Sequence, residues 1–174
     1  MKDRHLLFKY LFGLTVCILF FPLAVSAADS FIHFKRLSVD DGLSQNTVLA
    51  LTQDHNNKLW VGTIDGLNWY EGSRFVSYYK APDDTTSLAN NHVYSLHTDS
   101  KGTVWVGTQV GLSRYNIVGN NFPNYSSPDN QPMQVLAIGE PEEGDRLLLA
   151  TNIGLVVFDK KTGRMKVLPE LAGK

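Results

Sequence analysis

Short apolar runs separated by Gly, Asn and Asp recur through most of this chain. In the first stretch they lie at about residues 48–53, 58–63, 67–70 and 75–79, and apolar and aromatic side chains fill them. The runs show no helical period, and runs of this length between turn residues are typical of β-strands. The pattern therefore predicts four short antiparallel strands in this stretch.

The same stretch is repeated along the chain. The motif Trp-Val-Gly-Thr-x-x-Gly-Leu occupies residues 60–67 and, 45 residues later, residues 105–112. A weaker copy, Leu-Leu-Ala-Thr-x-x-Gly-Leu, occupies residues 148–155. Self-similarity at a fixed period of this length indicates an array of small structural units. Four antiparallel strands per unit are the content of one β-propeller blade.

We therefore predict an all-β fold, an incomplete β-propeller of three four-stranded antiparallel blades within residues 29–174. The predicted blades are at residues 48–79, 93–125 and 135–168. Residues 31–37 repeat the aromatic spacing of a fourth strand and predict an orphan outer strand. Because propellers close with about 4 to 8 blades, three blades predict a piece of a larger propeller. The alternative is a three-blade protein that assembles into a ring.

The turns carry residues that tolerate positive φ. Asn57 and Gly102 end the turn between the first and second strands of their repeats. Gly66, Gly111 and Gly154 open the third strands, where a tight hairpin requires the same freedom. We predict positive φ at all five positions.

Two residue types recur inside the second strands. Trp60 and Trp105 share one position, which favours packing between neighbouring blades over a platform for sugar stacking. Gly62 and Gly107 share another, and Gly within a strand indicates a bulge or a close backbone approach. Both pairs predict blades packed face to face.

The topology also predicts where a ligand would bind. In a propeller, the loops that join blades and the turns that join second to third strands open on one face, around the central channel, and loops carry function on a rigid scaffold. Asn46 and Asn91 just before the first strands are candidates, with the alternative that they cap the strand starts through hydrogen bonds to the backbone. The candidates in the second-to-third turns are Asp65, Gln109 and Asn152.

The second copy carries a family resemblance. Residues 99–115 read Asp-Ser-Lys-Gly-Thr-Val-Trp-Val-Gly-Thr-Gln-Val-Gly-Leu-Ser-Arg-Tyr. This resembles the two-component regulator propeller repeat, found in the periplasmic sensor region of hybrid histidine kinases of Bacteroidetes. The first copy departs from the repeat at Asn57 and Trp69, and the third has Leu148 and Ala150 in place of Trp and Gly.

The resemblance implies a binding and sensing module without catalysis. It would be the N-terminal part of the periplasmic sensor domain of a hybrid two-component regulator, responsive to glycans, with a histidine kinase as the parent protein. An oligosaccharide ligand, the remainder of the propeller or parent sensor, and a second copy in a homodimer are the implied partners. The alternatives are a fragment of a periplasmic propeller enzyme, a lyase or hydrolase, and a structural interaction scaffold.

The N-terminus predicts export. Lys2 and Arg4 precede an apolar stretch at residues 6–23, and small residues follow at 25–28. This order is typical of a secretory signal peptide, assigned to residues 1–28. An uncleaved membrane anchor is the alternative, since about 18 apolar residues are near the lower limit for spanning a bilayer. The prediction places the mature chain in the periplasm and its parent protein at the inner membrane.

Composition and motifs narrow the function classes. The formal net charge is -1, and there is no basic stripe of the kind that nucleic-acid binding requires. The sequence contains no G-x-S-x-G, H-E-x-x-H or P-loop motif, and its histidines are scattered. We therefore predict no catalytic residues, no metal site, no cofactor and no nucleic-acid partner.

Overall fold

The computed structural model describes residues 33–127, 129, 131–141 and 144–169. The predicted signal peptide and Phe31 lie outside the described residues. The chain divides into two compact units, Met1–Lys35 and Arg36–Lys174. No strand is assigned at residues 33–37, so the predicted outer strand at 31–37 stays a prediction.

In the described part of the second unit, the regular elements are one short 3-10 helix at Val39–Asp41 followed by strands. The strands are β1 (Val48–Gln53), β2 (Leu59–Thr63), β3 (Gly66–Tyr70), β4 (Phe75–Tyr78), β5 (Val93–Thr98), β6 (Val104–Thr108), β7 (Leu112–Arg114), β8 (Asn124–Tyr125), β9 (Val135–Gly139), β10 (Arg146–Thr151), β11 (Gly154–Asp159) and β12 (Met165–Val167).

These strands form three separate four-stranded sheets, each an antiparallel meander in which sequence neighbours pair. We call β1–β4 blade 1, β5–β8 blade 2 and β9–β12 blade 3. The predicted all-β class, with three four-stranded antiparallel blades, is confirmed. The blades meet mainly through their first strands, β1 against β5 and β5 against β9, so the first strands lie on the side of the propeller axis.

The cores lie between the blades. Trp60 is completely buried in the cluster between blades 1 and 2, and Trp105 is 2% exposed in the cluster between blades 2 and 3. The predicted packing of both tryptophans between blades is confirmed. The buried residues around Trp60 are Leu67, Leu88, Val93, Val104, Val106 and Phe122, and those around Trp105 are Leu112, Met133, Val135, Leu147, Leu149, Val156 and Phe158.

Each of these tryptophans is tied to the turn before its strand. The Trp60 Nε1–H donates to Asp54 Oδ2 at 3.0 Å, and the Trp105 Nε1–H donates to Asp99 Oδ2 at 2.9 Å. Both aspartates also accept backbone N–H groups of their own turns through Oδ1. The third repeat has Leu148 in place of the tryptophan, and the aspartate is also missing. The two partners of the bond are therefore lost together.

Four of the five predicted left-handed turn positions are confirmed. Asn57 has φ 62°, Gly102 81°, Gly66 122° and Gly154 109°. The prediction for Gly111 is wrong, since its φ is not positive. A Cβ at Gly111 would lie 2.6 Å from the Tyr125 carbonyl oxygen, so a close backbone approach explains this glycine.

The leading loop, residues 38–47, covers the side of blade 1 that faces away from blade 2. Asn68 is fully buried there and donates to Ser44 Oγ at 2.8 Å, while its Oδ1 accepts the Ser44 N–H at 3.0 Å and the Ser77 hydroxyl at 2.7 Å. Leu43 in the same loop is only 6% exposed. Hydrogen bonds thus hold the loop on this side of blade 1, and Leu51, which shares this face through its partner Val61, is 60% exposed.

Candidate functional site

One end of the three blades repeats the same backbone geometry. Here each first strand begins and each second-to-third turn lies beside it. The N–H groups of Ile64, Gln109 and Asn152 donate to the carbonyl oxygens just before their first strands, at 3.2, 3.1 and 3.4 Å. We call this end of the blades the rim. The prediction that these loops and turns share one face is confirmed.

A threonine fixes the shape of each turn at the rim. The Thr63 hydroxyl donates to the Gly66 carbonyl at 3.0 Å and accepts the Asp65 N–H at 3.1 Å. Thr108 and Thr151 make the equivalent pairs of bonds in blades 2 and 3. Because the hydroxyl holds the backbone of the turn, the two residues between Thr and Gly are presented on a rigid loop.

The structure joins two of the five predicted rim residues directly. Asn91 Nδ2 donates to Asp65 Oδ1 at 3.0 Å, which links the turn of blade 1 to the start of blade 2. The Gly66 N–H also donates to the Asn91 carbonyl, at 2.7 Å. The Asn91 Oδ1 accepts the Lys80 N–H at 2.6 Å, so this side chain also holds the loop between the blades.

The other three predicted residues stand at the same rim without joining that pair. Asn46 is exposed and accepts the Val39 N–H at 3.1 Å, and Asn152 accepts the Gln134 N–H at 2.8 Å. The Gln109 side chain is exposed in its turn. Asn46 and Asn91 thus each accept a backbone N–H of the loop that precedes their strand rather than one at the strand start. Both the capping alternative and a role of the five residues in ligand binding stay predictions.

The sequence analysis missed a second set of residues at the rim. The pairing of first and second strands is irregular at the same place in every blade: Val48 faces Thr63, but the next pair is Ala50 with Gly62. The same shift occurs in blades 2 and 3. One residue is therefore bulged out of each ladder, and a bulge redirects the side chain it carries. The bulged residues are Leu49, Tyr94 and Leu136.

These bulged side chains are large and apolar or aromatic, and they are accessible. Leu49 is 42% exposed and Leu136 is 47% exposed, although both lie on first strands near the axis. Tyr94 is half-buried, and its ring lies 4.4 Å from the His92 ring between centroids. A signal was present in the sequence, since a large residue follows the starting valine in each repeat, where the strand pattern requires no second large residue.

The opposite end of the blades carries a buried charge network that the sequence analysis also missed. The Lys160 ammonium donates to Glu140 Oε1 at 2.6 Å and to Asp99 Oδ2 at 3.0 Å, and all three side chains are at most 10% exposed. Glu140 also accepts the Ser100 N–H at 2.6 Å and lies 4.0 Å from His97 Nε2. The network joins blade 2 to blade 3.

The charges in this network are mutually compensated. Burial alone would raise the pKa of Asp99, but hydrogen bonds from Trp105, Lys160 and the Thr103 backbone outweigh it and hold the pKa below its usual range. Burial would also raise the pKa of Glu140, but the hydrogen bonds from Lys160 and Ser100 outweigh it and hold this pKa below its usual range. Burial would lower the pKa of Lys160, yet its two carboxylate partners raise it. All three groups stay charged near neutral pH, which is typical of a structural network.

The described residues contain neither a cluster of three or more His, Cys, Asp and Glu side chains placed to hold a metal nor a helix able to span a bilayer. The predicted rim residues and the bulges offer backbone-anchored amides, the Asp65 carboxylate and apolar or aromatic side chains as binding chemistry.

A family model described as "two component regulator propeller" matches residues 42–65 and 87–109. Each matched segment covers the start of a first strand, the tryptophan turn and part of the rim. The chain carries two-component regulator propeller repeats. Blade 3, whose repeat lacks the Trp, the Asp and the second-strand Gly, lies outside the matched segments.

The chain is similar to proteins of two-component signalling systems. The chain is 44% identical over 79 residues to a histidine kinase of Formosa agariphila, a match that covers 44% of this chain and 6% of the kinase. It is 30% identical to the extracellular domain of the hybrid two-component system BT3049 of B. thetaiotaomicron, with a TM-score of 0.69, over 79% of this chain and 20% of that chain. The regulator propeller repeats of this chain thus span a small part of each relative.

Two further likenesses show the fold alone. The extracellular domain of BT4673 of B. thetaiotaomicron is 23% identical, with a TM-score of 0.62 over 70% of this chain and 17% of that chain. Virginiamycin B lyase of Staphylococcus aureus is 15% identical, with a TM-score of 0.52 over 71% of this chain and 42% of that chain. An enzyme and a sensor therefore share the blade architecture of this chain.

Proposed function

We propose that this chain is the N-terminal part of the periplasmic sensor domain of a hybrid two-component regulator, and that it responds to glycans. The similarity to the Formosa histidine kinase and to the BT3049 extracellular domain supports the sensor role. Those relatives belong to signalling proteins, and the matched part of BT3049 is extracellular. The proposed parent protein is exported, anchored in the inner membrane and dimeric, and it is a histidine kinase.

The observation that carries the proposal is the composition of the rim. Leu49, Tyr94 and Leu136 are bulged out of three equivalent strands, beside turns whose shape is fixed by threonine hydroxyls. Small-molecule sites combine mostly apolar lining with a few placed polar groups. The rim provides both kinds of group on rigid backbone, close to the propeller axis.

This combination suits an oligosaccharide. Sugar rings present C–H faces that pack on apolar and aromatic side chains, and hydroxyl groups that bond to amides and carboxylates. In the proposed site Tyr94 packs against a sugar ring, with Leu49 and Leu136 on either side. The polar contacts come from Asp65, Asn91 and Gln109, together with Asn46 and Asn152. The rim gives an acidic ligand no advantage, because Asp65 contributes a negative charge there.

The test is binding of the full chain to an array of neutral and acidic oligosaccharides. Any bound sugar is then titrated against Tyr94→Ala, Gln109→Ala and the control Val118→Ala. Val118 is a 94% exposed apolar residue away from the rim, between β7 and β8. We expect weaker binding by the Tyr94 and Gln109 variants and unchanged binding by the control. Equal binding by all three variants, or no binding to any sugar of the array, would contradict the proposal.

A further inference from the structure

The two blade interfaces in this chain repeat one close contact. A Cβ built on Gly62 would lie 2.5 Å from Cγ1 of Val93, the residue that starts the first strand of blade 2. A Cβ built on Gly107 would lie 2.8 Å from Cγ1 and 2.6 Å from the carbonyl oxygen of Val135, which starts blade 3, and it would also collide with the Ser95 hydroxyl of its own blade. At each interface a glycine, which has no side chain, thus leaves room for the starting valine of the next blade.

Blade 3 has a methyl group at this position. Ala150 lies opposite Ala137 of the first strand, in the register that Gly62 and Gly107 occupy in their own blades. Its neighbours Leu147 and Leu149 are fully buried against blade 2, so strand alternation turns Ala150 to the other face of the blade. Ala150 is exposed there. We call this side of blade 3 its open face.

The open face has the character of an interface. Leu155 pairs with Ala150 across β10 and β11 and is 41% exposed. Next to it lies a depression of about 910 Å³, lined mainly by Ile153, Leu155, Leu168 and Pro169. Contiguous exposed apolar area is typical of protein interaction surfaces and of ligand-binding grooves.

We propose that the open face seats a further propeller blade whose first strand begins with a residue smaller than valine: Gly, Ala or Ser. A blade is the partner that fits because this face continues the geometry of the two interfaces already formed, with the same strands at the same positions. A small starting residue is required because the Ala150 methyl group takes the position at which Gly62 receives the Cγ1 atom of Val93. Ala150 is thus the residue that determines which blade can dock.

The contact between the Ala150 methyl group and a starting valine also excludes the three blades of this chain from the open face. Val48, Val93 and Val135 start blades 1, 2 and 3, so each blade brings a valine to this position. A second copy therefore cannot extend the array head to tail in the geometry of the repeat. Such a non-closing contact would otherwise produce open filaments.

The experiment extends the full chain by a copy of residues 79–125, which is blade 2 with the loop before it. The copy keeps its starting valine or carries Val93→Ala, and each version is joined to the natural chain or to the A150G chain. Docking is measured by hydrogen exchange at the amides of β10 and β11. The unextended natural and A150G chains correct for the direct effect of the glycine.

We expect the natural chain to dock the Val93→Ala copy and to exclude the valine copy, and the A150G chain to dock both. Overpacking has a usual penalty that corresponds to about a 5- to 150-fold change in an equilibrium constant. The docking constant of the valine copy should therefore be lower by this factor on the natural chain than on the A150G chain. Equal docking of the valine copy on both chains would overturn the role of Ala150.

Two other results would overturn the docking surface itself. One is that neither copy protects β10 and β11 in either chain. The other is that the unextended natural chain protects the same amides as its concentration rises, because a second copy would then cover the open face despite its starting valine.

Discussion

Removing the Trp105 side chain should destabilise the protein more than any change at the rim. The indole is 2% exposed, its ring lies 5.2 Å from Phe158 and 6.1 Å from Tyr125 between centroids, and its N–H bonds to Asp99. Truncation of a buried tryptophan to alanine costs about 3–5 kcal/mol. The buried Asp99 carboxylate keeps the bond from Lys160, so Trp105→Ala leaves no bare charge. We therefore expect a loss of about 3–5 kcal/mol in the free energy of unfolding.

A second variant separates the ring from its hydrogen bond. Trp105→Phe keeps most of the apolar volume but removes the N–H donor, and hydrogen bonds to charged groups contribute about 1.5–3 kcal/mol. We expect Trp105→Phe to lose an amount in this range. The control is Gln109→Ala, an exposed turn residue at the rim, whose effect should stay within about 0.5 kcal/mol.

The assay is urea unfolding followed by far-ultraviolet circular dichroism. Urea midpoints are compared only between variants whose free energy of unfolding falls with urea concentration at the same slope. A changed slope would report a change in the surface exposed on unfolding. The reasoning is refuted if Trp105→Ala unfolds at the same urea concentration as Gln109→Ala. It is also refuted if Trp105→Ala stays as stable as the natural chain but no longer binds a sugar, since Trp105 would then be a ligand platform.

Two further predictions concern the blade interfaces. Lys160→Met leaves the Asp99 and Glu140 carboxylates buried without a cation, so we expect a loss of about 3–5 kcal/mol at neutral pH. Carboxyls with a lowered folded-state pKa contribute stability that is fully present above their unfolded pKa of about 4 and is lost below it, as the pH falls through the folded-state pKa. The natural chain should lose this stability in that acidic range, so the difference in urea midpoint between it and Lys160→Met should narrow there. A difference that is constant with pH would contradict this account. Gly107→Ala should cost about 1–3 kcal/mol through overpacking, whereas Gly139→Ala, whose Cβ meets nothing within 4 Å, should be neutral or gain up to about 1 kcal/mol. Equal melting temperatures for the two variants would show that neither the neighbouring blade nor Ser95 of the same blade requires the glycine.

The strands could be predicted from the sequence because their determinants are local and repeated. Turn residues bound each apolar run, and the recurrence of the Trp-x-Gly-Thr pattern fixes the order of strands in each blade. Gly111 shows where this reasoning fails. Glycine opens the third strand in every repeat, and at Gly66 and Gly154 it has a positive φ. At Gly111 the φ is not positive, and glycine is needed there because a side chain would collide with the Tyr125 carbonyl oxygen.

The candidate site could be predicted only in part. The turns at the rim follow from topology, so Asp65 and Asn91 could be placed near each other although they belong to different blades. The bulges were missed, because a bulge is a property of strand register and a run of apolar residues does not specify register. The large residue after each starting valine was the one signal of an extra residue.

The Lys160 network could not be predicted from the sequence for a different reason. Lys160 and Asp99 are 61 residues apart in sequence, and the network has no copy in the other repeats from which it could be recognised.

The loop that hydrogen bonds hold on blade 1 can form early in synthesis. Blade 1 emerges before its neighbours, and segments made first can fold first. Ser44 and Asn68 both belong to this early segment, so their bonds do not have to wait for another blade. Leu51 on this side of blade 1 and Leu155 on the open face of blade 3 are both exposed. The stack of three blades thus keeps apolar side chains uncovered at both of its ends while the chain is being made.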